Sequence, residues 1–208
     1  MGARLGQGWL FGRPSASITS GPTGELRLPT VEAGMTIDLS PFSCLDLGTP
    51  LRRSTKELLI EVAKHLEREA IRQGPACVVA VTFQDARHFT PGTARRYGRL
   101  AEAVGFVCVL GEDLPAEPVA RVRGAQLPPG DALRGEWDLV VLSPHFAAAL
   151  LARDLGDEGP DRERRFDFAV TYRRDVVIRA ANALLARVAP ALVAATPAPV
   201  SPAPCPAL

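Results

Sequence analysis

The chain has 208 residues, 47% of them hydrophobic and 23% charged, and its formal net charge is +1. That is ordinary globular composition, with enough residues for one medium domain plus extensions. A near-neutral balance argues against a nucleic-acid partner, and no apolar run reaches the length of a membrane span. Cys44, Cys77, Cys108 and Cys205 form no CxxC pair, so neither a zinc site nor a disulfide framework is expected. Cys77 and Cys108 sit in apolar runs, where free Cys behaves as a small hydrophobe. The chain opens without the charged head and apolar core of a signal peptide, so a cytoplasmic location is expected. Of the 24 basic residues only Lys56 and Lys64 are Lys; with so much Ala and Pro, this reads as codon bias rather than phosphate recognition.

Residues 1–14 are too few for a domain, and Trp9–Phe11 is too apolar for a plain leader. Residues 15–45 are rich in Ser, Gly, Thr and Pro without helical periodicity, and read as a linker with a short strand at Met35–Leu39. At Pro50 the pattern changes. Ser54 with Glu57 reads as a capping box for a helix over Thr55–Gln73, with Leu58, Leu59, Val62, Leu66 and Ala70 inward. Gly74 and Pro75 stop it. Ala76–Phe83 is a continuous Val-rich run, the pattern of a strand buried on both faces. It ends abruptly in Gln84, Asp85, Arg87, His88 and Phe89.

A helix is expected over Thr93–Val104, a strand over Phe106–Leu110, and an edge strand at Val119–Val122 within the Pro- and Gly-rich 111–134 stretch. Trp137–Leu142 is a further strand. Ser143 and Pro144 read as the N-cap and first residue of an Ala- and Leu-rich helix over His145–Leu155. A charged loop, a strand at Phe166–Tyr172 and a helix at Asp175–Val188 follow, then a Pro-rich tail over residues 190–208 that reads as disordered. Strands alternating with helices predict an α/β fold: a mostly parallel sheet of four to five strands flanked by helices. No GxGxxG or GxxxxGK[ST] phosphate loop follows any strand.

Ligands gather at the carboxyl ends of strands in such sheets, so Gln84, Arg87, His88 and Phe89 are the candidate binding residues, with Phe89 stacking and His88 or Arg87 hydrogen-bonding. His65 flanks a helix stripe and reads as packing. Ser143 and His145 lack the G-x-S-x-G turn and the acid of a hydrolase triad. No catalytic residue, metal site or cofactor is predicted.

Two resemblances add context. The GQGWLFGRP stretch, residues 6–14, looks like the closing segment of an EAL domain, the cyclic-di-GMP phosphodiesterase barrel. The resemblance puts Gln7 at the substrate and metal end of that barrel. The E-A-L signature, the D-D-F-G-x-G loop and the acidic metal ligands are missing, and a β/α barrel needs about 250 residues. Residues 1–14 are therefore expected to be the trailing end of a phosphodiesterase, inactive on its own. Residues 46–189 resemble the DICT sensory domain. The resemblance rests on Leu59–Ala70, Phe83-Gln84, Arg87-His88-Phe89, Arg95-Arg96-Tyr97, Glu136–Val140 and Phe166–Tyr172. It implies a signal-input role beside an EAL phosphodiesterase or another signalling domain, in cis or in trans, with an unidentified small ligand. A protein–protein interaction module without a ligand is the alternative.

Overall fold

A computed structural model describes residues 39–188. The expectations for residues 1–14 with Gln7, for the linker up to residue 38 and for the tail 190–208 lie outside the described residues.

The described residues form β1 (Arg52–Thr55), α1 (Lys56–Gln73), β2 (Val78–Asp85), α2 (Pro91–Ala103), β3 (Phe106–Glu112), β4 (Val122–Gln126), β5 (Glu136–Leu142), β6 (Ala147–Asp154), β7 (Arg165–Thr171) and α3 (Arg174–Leu185). The strands make one seven-stranded sheet in the order β1-β7-β6-β5-β2-β3-β4. Only β2–β3 and β3–β4 pair in parallel; β2–β5, β5–β6, β6–β7 and β1–β7 are antiparallel. The sheet is therefore mixed and larger than the mostly parallel, four- to five-stranded one expected.

The largest departure is β6. Ala147–Asp154 reads as helix by propensity, because Ala and Leu are strong helix formers. It is instead a central strand, with Ala148, Leu150 and Ala152 packed in the core on one face and Ala147, Ala149 and Leu151 on the other. Small side chains let layers approach closely on both faces, and that tertiary demand overrides propensity. Ser143 caps no helix. Its N–H bonds Phe146 O at 2.8 Å and its Oγ accepts the Phe146 N–H at 3.0 Å, which closes a tight β5–β6 turn. A four-residue turn cannot make the crossover a parallel pair requires, so β6 returns antiparallel.

The capping box also fails. Ser54 lies inside β1, and Thr55 is the N-cap, with no side-chain capping bond. β1 has no sequence signature, because its four polar residues, RRST, carry no apolar alternation. It is nevertheless held at the sheet edge by β7, where Arg53 forks onto Asp167 at 2.7 Å and 3.1 Å. The edge strand expected at Val119–Val122 is displaced to β4; Val119 makes only an isolated bridge to Val122.

Two apolar layers sandwich the sheet. On one face α1 and α2 bring Leu59, Leu66, Tyr97 and Leu100 onto Val79, Val81, Leu139, Val141, Leu150 and Phe166. On the other, α3 brings Val176, Val177, Ala180 and Leu184 onto Ala80, Val140, Ala149 and Leu151. Phe42 and Cys44, just before β1, join this second layer. Cys108 is fully buried there, and burial pushes its thiol up to about 12.

Candidate functional site

β2 is regular to Val81 and then breaks. Its ladder with β5 stops at Val81↔Leu139, and its register with β3 shifts between Thr82 and Asp85. The Thr82 side chain bridges the gap: Oγ1 accepts the Asp138 N–H at 2.7 Å and donates to Glu136 O at 3.2 Å. Two residues on, Gln84 has φ 61, the left-handed region that a side-chain-bearing residue rarely adopts. Strand irregularities and strained backbone cluster where a sheet re-aims side chains at a site.

A pocket of about 390 Å³ opens at this break. Small-molecule pockets typically run from roughly 300 to 1,000 Å³. Its polar lining comes from the first turns of α1 with Lys56 and Lys64, from the end of β2 with Thr82 and Gln84, and from the following turn with Arg87 and His88. Ile60, Phe83 and Trp137 supply an apolar wall, and Asp161 and Arg162 close it from the 156–164 segment.

The buried stripe of α1 runs back through Ala70, Leu66, Ala63 and Leu59 to Lys56. Its first member is thus a cation whose side chain is only 10% exposed. Lys56 Nζ donates to both Asp161 oxygens at 2.7 Å and contacts His88 Nδ1 at 3.3 Å. Burial pulls the Lys56 pKa below its ordinary value, and the Asp161 carboxylate offsets part of that. An ammonium only donates, so Nδ1 is the acceptor and His88 carries its proton on Nε2. That Nε2 is buried and has no hydrogen-bond partner. Burial and then the Lys56 charge push the His88 pKa below 6.5 and keep the ring neutral.

Supporting groups fix these side chains. Gln84 Nε2 reaches Asp154 Oδ2 at 3.4 Å, and Arg164 is paired with Asp154 and, at 3.2 Å, with Asp161. Arg96 bonds the buried Glu67 at 2.6 Å, tying α2 to α1 beside the pocket. On the opposite face of β5, Asp138 is fully buried. Its burial and the neighbouring Glu136 hold its pKa well above the usual carboxylate range.

Gln84, Arg87 and His88 thus come together at one pocket. Phe89 does not line it; its ring packs edge-on against Phe83 at 5.2 Å and Tyr97 at 6.0 Å and supports the wall from behind. Sequence reasoning missed Lys56, Trp137 and Asp161. The available signal was rarity: both lysines of an Arg-dominated chain, Lys56 and Lys64, line the same pocket eight residues apart on α1. Ser143 is bonded to Gln73 at 3.0 Å at the opposite end of β5, and His145 is exposed. Among the described residues, no group of three or more His, Cys, Asp or Glu could hold a metal ion, and no helix is long and apolar enough to cross a membrane.

No curated protein matches the chain. Among solved structures it aligns with that of TrmBL2, an archaeal chromatin protein described as showing a novel mode of DNA binding. The TM-score is 0.37 and the identity 8%, over 65% of this chain and 52% of the other, so the match spans about half of that chain. The family described as DICT, a sensory domain in diguanylate cyclases and two-component systems, matches residues 45–155. Lys56, Gln84, Arg87, His88 and Trp137 fall inside the matched residues, and Asp161 and Arg162 beyond them. A sensory domain of those systems has a signal-input role, and the match covers over half of the sequence: the chain belongs to the DICT family.

Proposed function

We propose that this protein is a ligand-sensing regulatory module that acts by binding, without catalysis of its own, on an EAL phosphodiesterase or another signalling domain in the bacterial cytoplasm. The observation that carries the reading is the pocket at the end of β2, where Gln84, Arg87 and His88 meet a buried Lys56 and a buried His88 Nε2 without a partner. A ligand held there touches α1, β2, β5 and the 156–164 segment at once, so its binding energy can bias how they pack. Regulation follows only if the ligand has different affinities for two states. The EAL-like stretch at residues 6–14 supports a cyclic-di-GMP phosphodiesterase as the partner.

The test is the cyclic-di-GMP hydrolysis rate of an EAL domain, assayed with the full chain present or absent. Each assay is run with and without the protein-free small-molecule fraction of a bacterial lysate. A rate that responds to the fraction only when the chain is present is the expected result. A rate indifferent to the chain under every condition overturns the regulatory reading.

A second reading rests on a different surface. Leu51, Val170 and Tyr172 are exposed beside the β1–β7 edge, with Leu47 fully exposed nearby. Exposed apolar side chains along a strand edge suit a protein partner without a small ligand. A hydrolysis rate that changes with the chain but ignores the small-molecule fraction favours it.

A further inference from the structure

We propose that the pocket takes a small organic acid, a carboxylate or phosphate monoester on an apolar ring, and that its acid head displaces Asp161 from Lys56. The inference rests on the ligand-sensing reading above and names the ligand class of the same site.

The argument starts from Lys56. A cation this deeply buried requires an anion beside it. Asp161 supplies one in a bidentate contact, both oxygens 2.7 Å from Nζ. That is also the geometry in which a free carboxylate or phosphate would bind an ammonium. Yet Asp161 is a weakly built partner. Its side chain is 50% exposed, whereas Lys56 is 10% exposed. It sits on a single 3-10 turn, Asp161–Glu163, just after Gly159 at φ 134 and Pro160. It also has somewhere to go, because Arg164 Nη1 already holds Oδ1 at 3.2 Å and remains its counter-charge after release.

The rest of the pocket matches the other parts of such a ligand. Among the described residues Asp161 is the only carboxylate lining it, against Lys56, Lys64, Arg87, Arg96 and Arg162. The other four cations have carboxylates outside the lining, Glu61 for Lys64, Asp85 for Arg87, Glu67 for Arg96 and Glu57 for Arg162, so the argument for an anion rests on Lys56 and its exchangeable partner. His88 Nε2–H is a second donor without an acceptor at the same wall. Ile60, Phe83 and Trp137 offer an apolar face for a ring, and Thr90 and Thr93 bring hydroxyls to the same lining. Binding therefore exchanges one anion for another on Lys56 and frees the Asp161 turn from that side chain, while the Lys56 N–H keeps its bond to Arg164 O at 2.8 Å.

The test uses the full chain and four probes of similar shape: benzoate and phenyl phosphate, with benzamide and benzyl alcohol as neutral counterparts. Binding is followed by thermal denaturation and by calorimetry. Cleavage by trypsin at Arg162 and Arg164 reports release of the turn. At least one anion is expected to bind at least tenfold more tightly than its neutral counterpart and to speed cleavage. Asp161→Asn is expected to raise that affinity several-fold and to give fast cleavage without any probe. Lys56→Met, whose straight apolar chain fills the same space, is expected to abolish anion binding while keeping a cooperative melt. If Lys56→Met fails to fold, Asp161→Asn and the cleavage assay still decide.

Neutral probes binding as well as the anions would overturn the acid assignment and leave the ligand-sensing reading standing. No binding by any probe, or Asp161→Asn weakening the anion, would overturn the exchange. Anion binding with no effect on the phosphodiesterase rate would support the ligand class and count against the regulatory reading alone.

Discussion

Thr82 shows how much a single side chain can hold at this site. Its hydroxyl stands in for a missing rung of the β2–β5 ladder, serving one buried N–H and one buried C=O. Thr82→Val keeps the shape and removes both partners. Each orphaned buried group costs about 1–3 kcal/mol, so a loss of roughly 2–6 kcal/mol is expected in urea unfolding. His88 makes a prediction of a different kind. Its folded-state pKa lies below 6.5, through burial and then Lys56, with Arg87 and Arg164 adding repulsion and only Asp161 opposing. The unfolded chain therefore takes up the proton first. The stability that a neutral His88 contributes is complete above about pH 6.5 and is lost as pH falls through the depressed folded value. In His88→Gln that part of the pH dependence should vanish, which thermal melts from pH 7.5 to 5 would show as a shallower slope.

At the scale of elements, the pocket exists because three of them end at one place. α1 begins, β2 breaks, and β5 begins within reach of Thr82. Elements with one strong periodic signal largely behave as their residues suggest: α1, α2 and α3 bury the expected Leu66, Tyr97, Leu100, Val176 and Leu184, whereas Leu58, expected inward, is exposed. Elements whose identity depends on a neighbour do not. β6 is a strand because α1 and α3 close on it from two sides, and β1 because β7 offers an edge. β4 has a similar dependence. A Cβ on Gly124 would lie 1.8 Å from the carbonyl oxygen of Pro115, so the loop before β4 can cross only over a bare Cα. Gly124→Ala is expected to cost about 1–3 kcal/mol by overpacking against backbone, read as a lowered Tm. Gly98→Ala on α2 would meet only Val119 Cγ2 at 3.6 Å, an ordinary contact, and is the matched control.

At the scale of the whole molecule, the family match ends at residue 155, whereas the sheet does not. β7 covers the edge of β6, and α3 covers Val140, Ala149 and Leu151. A chain cut after residue 155 would expose a long apolar strand edge and an uncovered sheet face, both routes to aggregation. Such a fragment is expected to lose its cooperative melt and to bind a hydrophobic dye, while a chain spanning residues 39–188 melts cooperatively. Circular dichroism and dye fluorescence on the two fragments check this. The same dependence links fold to signal, because the segment that supplies Asp161 to the pocket also joins β6 to β7.

The α/β class, the buried β2 strand with its abrupt polar end, the three amphipathic helices and the resemblance to the DICT family are readable from residue order alone. These rest on local periodicity and on residue order, which need no knowledge of neighbours. Gln84, Arg87 and His88 were legible for the same reason: they follow directly on a buried strand. The antiparallel half of the sheet is settled by packing, because Ser143–Phe146 is a turn or a helix start depending on what packs against Ala147–Ala149. Tertiary structure alone turned Phe89 away from the pocket and into the Phe83–Tyr97 cluster. And it alone brought Asp161 to Lys56, a contact 105 residues apart in the chain that no local pattern encodes.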